Sequence, residues 1–199
     1  MPQKNTGTEE LIKASAKRLL FAEGKLHATT QEIADAAGVS RTSLHYYFRS
    51  RDLLIAEVFQ EAMQALSERL NACMESDKPF KGKLEFLIDV FLRDMASFPY
   101  QETFLVTQMN TLGKELVETI HSGPVKNFLE EVKSEMDLGN LKPMDPYLFL
   151  INLFSLLSYP LIMAPLYKQL FQLTDNAFSD LIGDRKKMIL ELLLNETDV

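Results

Sequence analysis

Apolar residues recur at spacings of three and four along almost the whole chain, and no stretch alternates apolar with polar as a half-buried strand does. That periodicity confines the chain to an all-α architecture, and eight glycines and eight prolines in 199 residues leave few interruptions. A first helix is expected over about 8–23, with Ile12, Ala16, Leu19 and Leu20 on one stripe and Gly24 as a left-handed stop. Thr29 or Thr30 can cap a short second helix that ends near Gly38, and Thr29 with Glu32 has capping-box spacing. Ser40 is placed to cap a third helix reaching about Phe48, and a long fourth helix runs from Arg51 or Asp52 to about Glu75. Further helices are expected over about 80–97, 101–110 and 112–137, the last interrupted by His121-Ser122-Gly123-Pro124. Asp145-Pro146 reads as an N-cap with proline at the first helical position, opening an apolar helix that meets Pro160 and Pro165. A final helix over about 175–195 contains Gly183, giving about nine helices in all.

Composition narrows the class. Hydrophobic residues at 46% and charged residues at 25% are ordinary for a globular protein and exclude wholesale disorder. Cys73 is the sole cysteine, so no intrachain disulfide can form and a reducing cytoplasm is the expected setting. With only His27, His45 and His121 beside it, no thiolate-rich zinc site, and no other metal or cofactor, is expected. The polar start, Met1-Pro2-Gln3-Lys4, leads us to expect no secretory signal. Net charge is −7, but residues 1–51 carry eight Lys and Arg against five acids, and residues 52–199 carry thirteen against twenty-three. A basic head on an acidic body suits nucleic acid at one end only.

The run from Tyr147 to Tyr167 is uncharged and long enough for a bilayer. It also contains Asn152, Ser155, Ser158 and two prolines, and no second apolar span accompanies it, so burial at a subunit interface is the expected fate and no membrane partner is assigned.

Residues 30–54 read TQEIADAAGVSRTSLHYYFRSRDLL. Ile33, Ala34 and Ala37 share a buried face, Gly38 supplies the positive φ of a sharp turn, Val39 points inward, and Leu44, Tyr47 and Phe48 bury together. Arg41, Thr42, Ser43, His45, Tyr46 and Arg49 are left largely outside, a face of donors and aromatics without an acid. Such a face suits phosphates and base edges.

This stretch resembles the helix-turn-helix of TetR-family transcriptional regulators, pattern T-x-x-I-A-x-x-A-G-V-S-x-G-T-L-Y-x-Y-F-x-S-K. Thr30, Ile33, Ala34, Ala37, Gly38, Val39, Ser40, Leu44, Tyr47, Phe48 and Ser50 match it, whereas Thr42, Ser43, His45 and Arg51 stand where Gly, Thr, Tyr and Lys are usual. The strong resemblance covers about residues 9–54.

The resemblance implies a helix-turn-helix DNA-binding domain over 1–51 and an effector-binding and dimerisation domain over 52–199. It implies a homodimer on a palindromic double-stranded operator, with the last two helices forming the dimer interface. Arg41, Thr42, Ser43, His45 and Tyr46 would face the major groove, from the helix that Ser40 starts. Thr30, Tyr47 and Arg51 would hold phosphates. It also implies an apolar effector pocket among the middle helices, for which Phe91, Met95, Phe98, Tyr100, Phe104, Met109 and Tyr159 are the candidate lining, and a small lipophilic effector. The expected function is a repressor released by that effector. The alternative is a DNA-binding regulator controlled by a partner protein. No phosphate-cradling glycine loop, paired-carboxylate motif or Ser/His/Asp arrangement supports an enzyme.

Overall fold

The computed structural model describes residues 6–112 and 122–195, with the side chains of Met95, Ala96, Leu112 and Ser122 left aside. Among the described residues the elements are α1 (Thr6–Lys17), a π turn (Arg18–Ala22), α2 (Thr30–Ala36), α3 (Arg41–Tyr47) and α4 (Arg51–Met74). There follow α5 (Phe80–Ser97), α6 (Gln101–Leu112), α7 (Ser122–Asp137), α8 (Pro146–Ile162), α9 (Ala164–Leu170), α10 (Asp175–Gly183) and α11 (Arg185–Leu193). No strand occurs among them; a single antiparallel bridge joins Leu141 and Leu194. The all-α class with an N-terminal helix-turn-helix is therefore the observed one.

The chain divides into two compact units. One holds the residues up to Ala65 together with the segment that begins at Ser97 and carries α6; the other holds Leu66–Ala96 and α7 to α11. The long α4 therefore contributes to both.

In the first unit Ile12, Ala16, Leu20, Ile33, Ala34, Leu44, Phe48, Leu54, Val58 and Phe59 are buried, the expected stripes of the first four helices facing one another. Lys13 is also buried, and its Nζ lies 2.6 Å from carboxylate oxygens of both Glu10 and Glu61; Lys17 reaches Glu61 at 2.6 Å. This pairing ties α1 to α4. Burial pushes the Glu61 carboxyl up, but hydrogen bonds from Lys13 and Lys17 outweigh it and leave it below the ordinary glutamate range. Bonds to Glu10 and then Glu61 raise Lys13 above the ordinary lysine value.

A carboxyl that titrates lower folded than unfolded stabilises the fold above its unfolded value, and that stability is lost as pH falls through the folded one. The raised lysine works in the opposite sense, losing its contribution only in strong alkali. Urea unfolding should therefore show a flat neutral plateau and a fall only below the ordinary glutamate range. Glu61→Gln should lower the plateau by about 1–2 kcal/mol, allowing for Glu61 being about a third exposed, and make the acid fall shallower. An unchanged acid limb in that variant would remove Glu61 from the account.

The second unit has its own core, centred on Phe80, Leu84, Ile88, Phe128, Phe149, Leu153 and Ile189, with a smaller cluster of Leu161, Phe178 and Ile182. Buried Lys83 donates to the Met74 carbonyl at 3.1 Å and to Glu131 at 2.8 Å. Asp145 caps α8 by accepting the Tyr147 N–H at 2.8 Å, with Pro146 at the first helical position as expected.

α7 begins at Ser122, with Gly123 and Pro124 in its first turn, where a proline forfeits no helical bond; His121, the first residue of the expected interruption, lies outside the described residues. Two boundaries differ from expectation. The uncharged 147–167 run is split into α8 and α9, bent by 62°. Among the described residues no single helix is long and apolar enough to cross a membrane, although the bent pair passes by length and composition. The final helix divides after Gly183, at Asp184, into α10 and α11, consistent with the weak helix propensity of glycine.

Candidate nucleic-acid interface

The helix-turn-helix is built from short-range contacts. Thr29 Oγ1 accepts the Glu32 N–H at 3.2 Å while the Glu32 carboxylate accepts the Thr29 N–H at 2.7 Å, closing the expected capping box at the start of α2. These bonds, the backbone one first, hold the Glu32 carboxyl below the ordinary glutamate range. Gly38 adopts φ +65°, and the Val39 N–H returns to the Ala34 carbonyl at 3.0 Å, so the chain reverses without a β-carbon in the way. Ser40 then caps α3, its hydroxyl oxygen accepting the Ser43 N–H at 3.0 Å.

Leu44 and Phe48, one turn apart, fix the back of α3 in the core. Arg41, Thr42, His45 and Tyr46 on its other side are exposed, with Ser43 and Tyr47 half-buried. Tyr46 is 52% exposed and meets the Tyr47 ring edge-on at 5.3 Å, so each ring limits the other's rotamers. No acid occurs in α3. The outer face is thus a set of hydroxyl, imidazole and aromatic side chains with one guanidinium at its start.

Thr30 is the half-buried first residue of α2. Arg51 is placed less simply than its sequence suggests. Its Nε–H donates to the Ala28 carbonyl at 2.7 Å and an Nη2 hydrogen to the Leu26 carbonyl at 2.8 Å. The guanidinium therefore clamps the loop before α2 while leaving its Nη1 donors uncommitted to these carbonyls, a role that nothing local to Arg51 announces.

The residues expected to line an effector pocket fall in both units. Phe98, Tyr100 and Phe104 lie in the first unit, where Phe104 is buried against Phe21 and Phe59. Met109, also in that unit, is exposed on α6. Phe91 is half-buried against both core clusters of the second unit, and the side chain of Met95 lies outside the described residues. Tyr159 alone of these residues lines an 870 Å³ groove between α8, α9, α10 and α11. Leu156, Tyr167, Phe171, Phe178, Leu181 and Met188 form much of its wall, with Arg185 among them. That guanidinium donates to the Leu156 carbonyl at 3.0 Å, and burial holds its pKa below the ordinary arginine value. Both halves of the divided last helix contribute to this groove, and the division is not visible in the periodicity. No cluster of three or more metal-ligating side chains occurs among the described residues.

Residues 9–58 match the model for bacterial regulatory proteins of the tetR family. The uncharacterised HTH-type transcriptional regulator YvdT of Bacillus subtilis is 24% identical over 123 residues, which are 62% of this chain and 56% of that protein. The chain thus spans little more than half the length of that curated relative. The HTH-type transcriptional regulator RutR of Escherichia coli K12 is 27% identical over 155 residues, 72% of each chain. Among solved structures, the ketosteroid transcriptional regulator KstR2 of Mycobacterium tuberculosis superposes with a TM-score of 0.67 at 16% identity, covering 98% of both chains.

Proposed function

The chain belongs to the TetR family of bacterial regulatory proteins, and from that membership we propose that it is a repressor that binds a palindromic operator as a homodimer and leaves it when a small lipophilic effector binds. The observation that carries this reading is the exposed, acid-free face of α3, held from behind by Leu44 and Phe48. Arg41, Thr42, Ser43, His45 and Tyr46 read base edges from this helix, and Thr30, Tyr47 and Arg51 hold phosphates on either side. The functional division falls at 51/52, and the protein works in the cytoplasm.

The homodimer is supported by the second unit, where Tyr147, Leu148, Ile151, Leu181, Met188 and Leu192 are exposed on α8, α10 and α11. An apolar surface of this extent calls for a cover, and a second copy presents the matching one. Phe91 and Tyr159 lead as effector contacts, because the rings of Phe98, Tyr100 and Phe104 are already engaged by Phe21 and Gly24.

Fragments retained by the purified protein from a random DNA pool should converge on a palindrome. On that operator Arg41→Ala should cost about 1–3 kcal/mol and relax one position in each half-site, arginine to guanine being the commonest specific contact. Retention of unrelated fragments, or an unaffected Arg41→Ala variant, would sink the docking of α3. Reciprocity supplies the effector test: a compound that lowers operator affinity by some factor must itself bind the operator complex less tightly by the same factor.

A further inference from the structure

Residues 1–51 carry eight Lys and Arg, but the fold itself engages most of these charges. Lys13 reaches Glu10 and Glu61, and Lys17 reaches Glu61. Arg18 and Lys25 share the carboxylate of Glu23, the lysine at 2.9 Å, and the bond from Lys25 holds that carboxyl below the ordinary glutamate range. Arg51 commits its Nε–H and an Nη2 hydrogen to the Ala28 and Leu26 carbonyls. Lys4 lies outside the described residues. Two cations remain, Arg41 and Arg49, both exposed and with no side-chain partner among the described residues. The acid nearest to Arg49 along the chain, Asp52, is exposed on α4 and forms no ion pair with it.

These two arginines bracket the reading helix. Arg41 is the first residue of α3, and Arg49 follows its C-cap, Phe48. Eight residues at about 1.5 Å each set their backbones about 12 Å apart along the helix axis, close to the roughly 12 Å width of a B-DNA major groove. The backbone at Arg49 is anchored on both sides. Phe48 is buried in the core before it, and after it the Ser50 hydroxyl oxygen accepts the Leu53 N–H at 3.2 Å at the start of α4. Only the Arg49 side chain is left free, a long stem ending in a planar fork of donors that matches two oxygens of a phosphate.

We propose that Arg49 is a DNA-binding residue that holds a backbone phosphate beside the C-terminal end of α3. This rests on the reading of α3 as the helix that enters the groove. It goes beyond that reading by adding a contact, and by separating the cations that meet DNA from Lys13, Lys17, Arg18 and Lys25, which hold the head together.

The test uses the full-length protein, the operator recovered by selection and an unrelated duplex, titrated at several salt concentrations. Arg49→Ala should weaken binding to both duplexes and flatten the dependence of log affinity on log salt by about one unit for each copy bound. The bases preferred in selection should stay the same, because a phosphate contact fixes position and carries no direct sequence information. Arg49→Lys, which keeps the charge, should keep the slope. Lys17→Ala takes the same unit of charge from the head, but from a pair with Glu61, and should leave the slope unchanged. With no partner for the Arg49 side chain in the fold, urea unfolding of Arg49→Ala should match wild type, and Arg49→Gln supplies a second neutral variant for the titration.

A folded Arg49→Ala or Arg49→Gln protein with the wild-type slope overturns the proposal. So does an equal flattening in Lys17→Ala, which would trace the effect to the net charge of the head. A wild type that binds no duplex at low salt overturns the regulator reading along with it. A wild type that selects a palindrome while Arg49→Ala keeps its slope removes this contact alone.

Discussion

Replacing Phe48 with alanine is expected to cost the head about 3–5 kcal/mol and abolish specific DNA binding, although Phe48 touches no DNA in the proposed complex. The ring is 2% exposed, at the residue that terminates α3, and with Leu44 it forms the inner side of that helix. Truncation removes its transfer free energy and leaves a cavity that short helices held by caps can close only by shifting α3. Set against a total stability of roughly 5–15 kcal/mol for an ordinary domain, that loss is enough to unfold the head preferentially. Denaturant unfolding followed by a probe in the head, and operator titration of the same sample, should fall together. Phe48→Leu, which keeps most of the volume, should cost about 1 kcal/mol and retain binding. Unchanged stability in Phe48→Ala would mean that the ring does not hold α3.

Arg51 is the second position where a large effect is expected, and here one substitution should act in two ways. Arg51→Ala removes the donors of the Ala28 and Leu26 carbonyls, which precede the capping box of α2. Bonds from a charged donor contribute about 1.5–3 kcal/mol each; with the guanidinium half-exposed, we expect about 2–3 kcal/mol for both. The same variant should weaken binding to every DNA sequence and flatten the salt dependence by about one unit, through the lost phosphate contact. Lysine separates the roles, because an ammonium keeps the charge but lacks the planar fork that spans two carbonyls. Arg51→Lys should therefore recover the salt slope and not the stability. A fully stable Arg51→Lys would remove the clamp, and an unaltered slope in Arg51→Ala would remove the phosphate contact.

Legibility in the sequence followed the range of the interactions. The capping box of Thr29 and Glu32, the Ser40 cap, the turn at Gly38 and the inward pair Leu44 and Phe48 are contacts within a few residues. Spacing alone therefore locates them, and α2 to α5 lie close to where periodicity puts them. Proline and glycine were harder to read because their effect depends on position within a turn. Pro124 sits harmlessly at the start of α7, whereas Gly183 accompanies a real break before α11.

The aromatic and methionine residues of the middle helices were the least legible. Phe98, Tyr100 and Phe104 meet Phe21 and Gly24, contacts for which no local pattern gives a sign.

The sequence by itself determined an all-helical chain with a basic head and an outward helix face free of acid, because charge and 3.6-residue periodicity are properties of neighbours along the chain. Only the tertiary structure decided that Arg51 clamps the loop before α2, that Tyr100 returns to the end of the first helix, and that a groove opens beside Arg185. Each of those depends on groups brought together from distant stretches, and burial of apolar area, which drives such meetings, specifies no partner until the whole chain has packed.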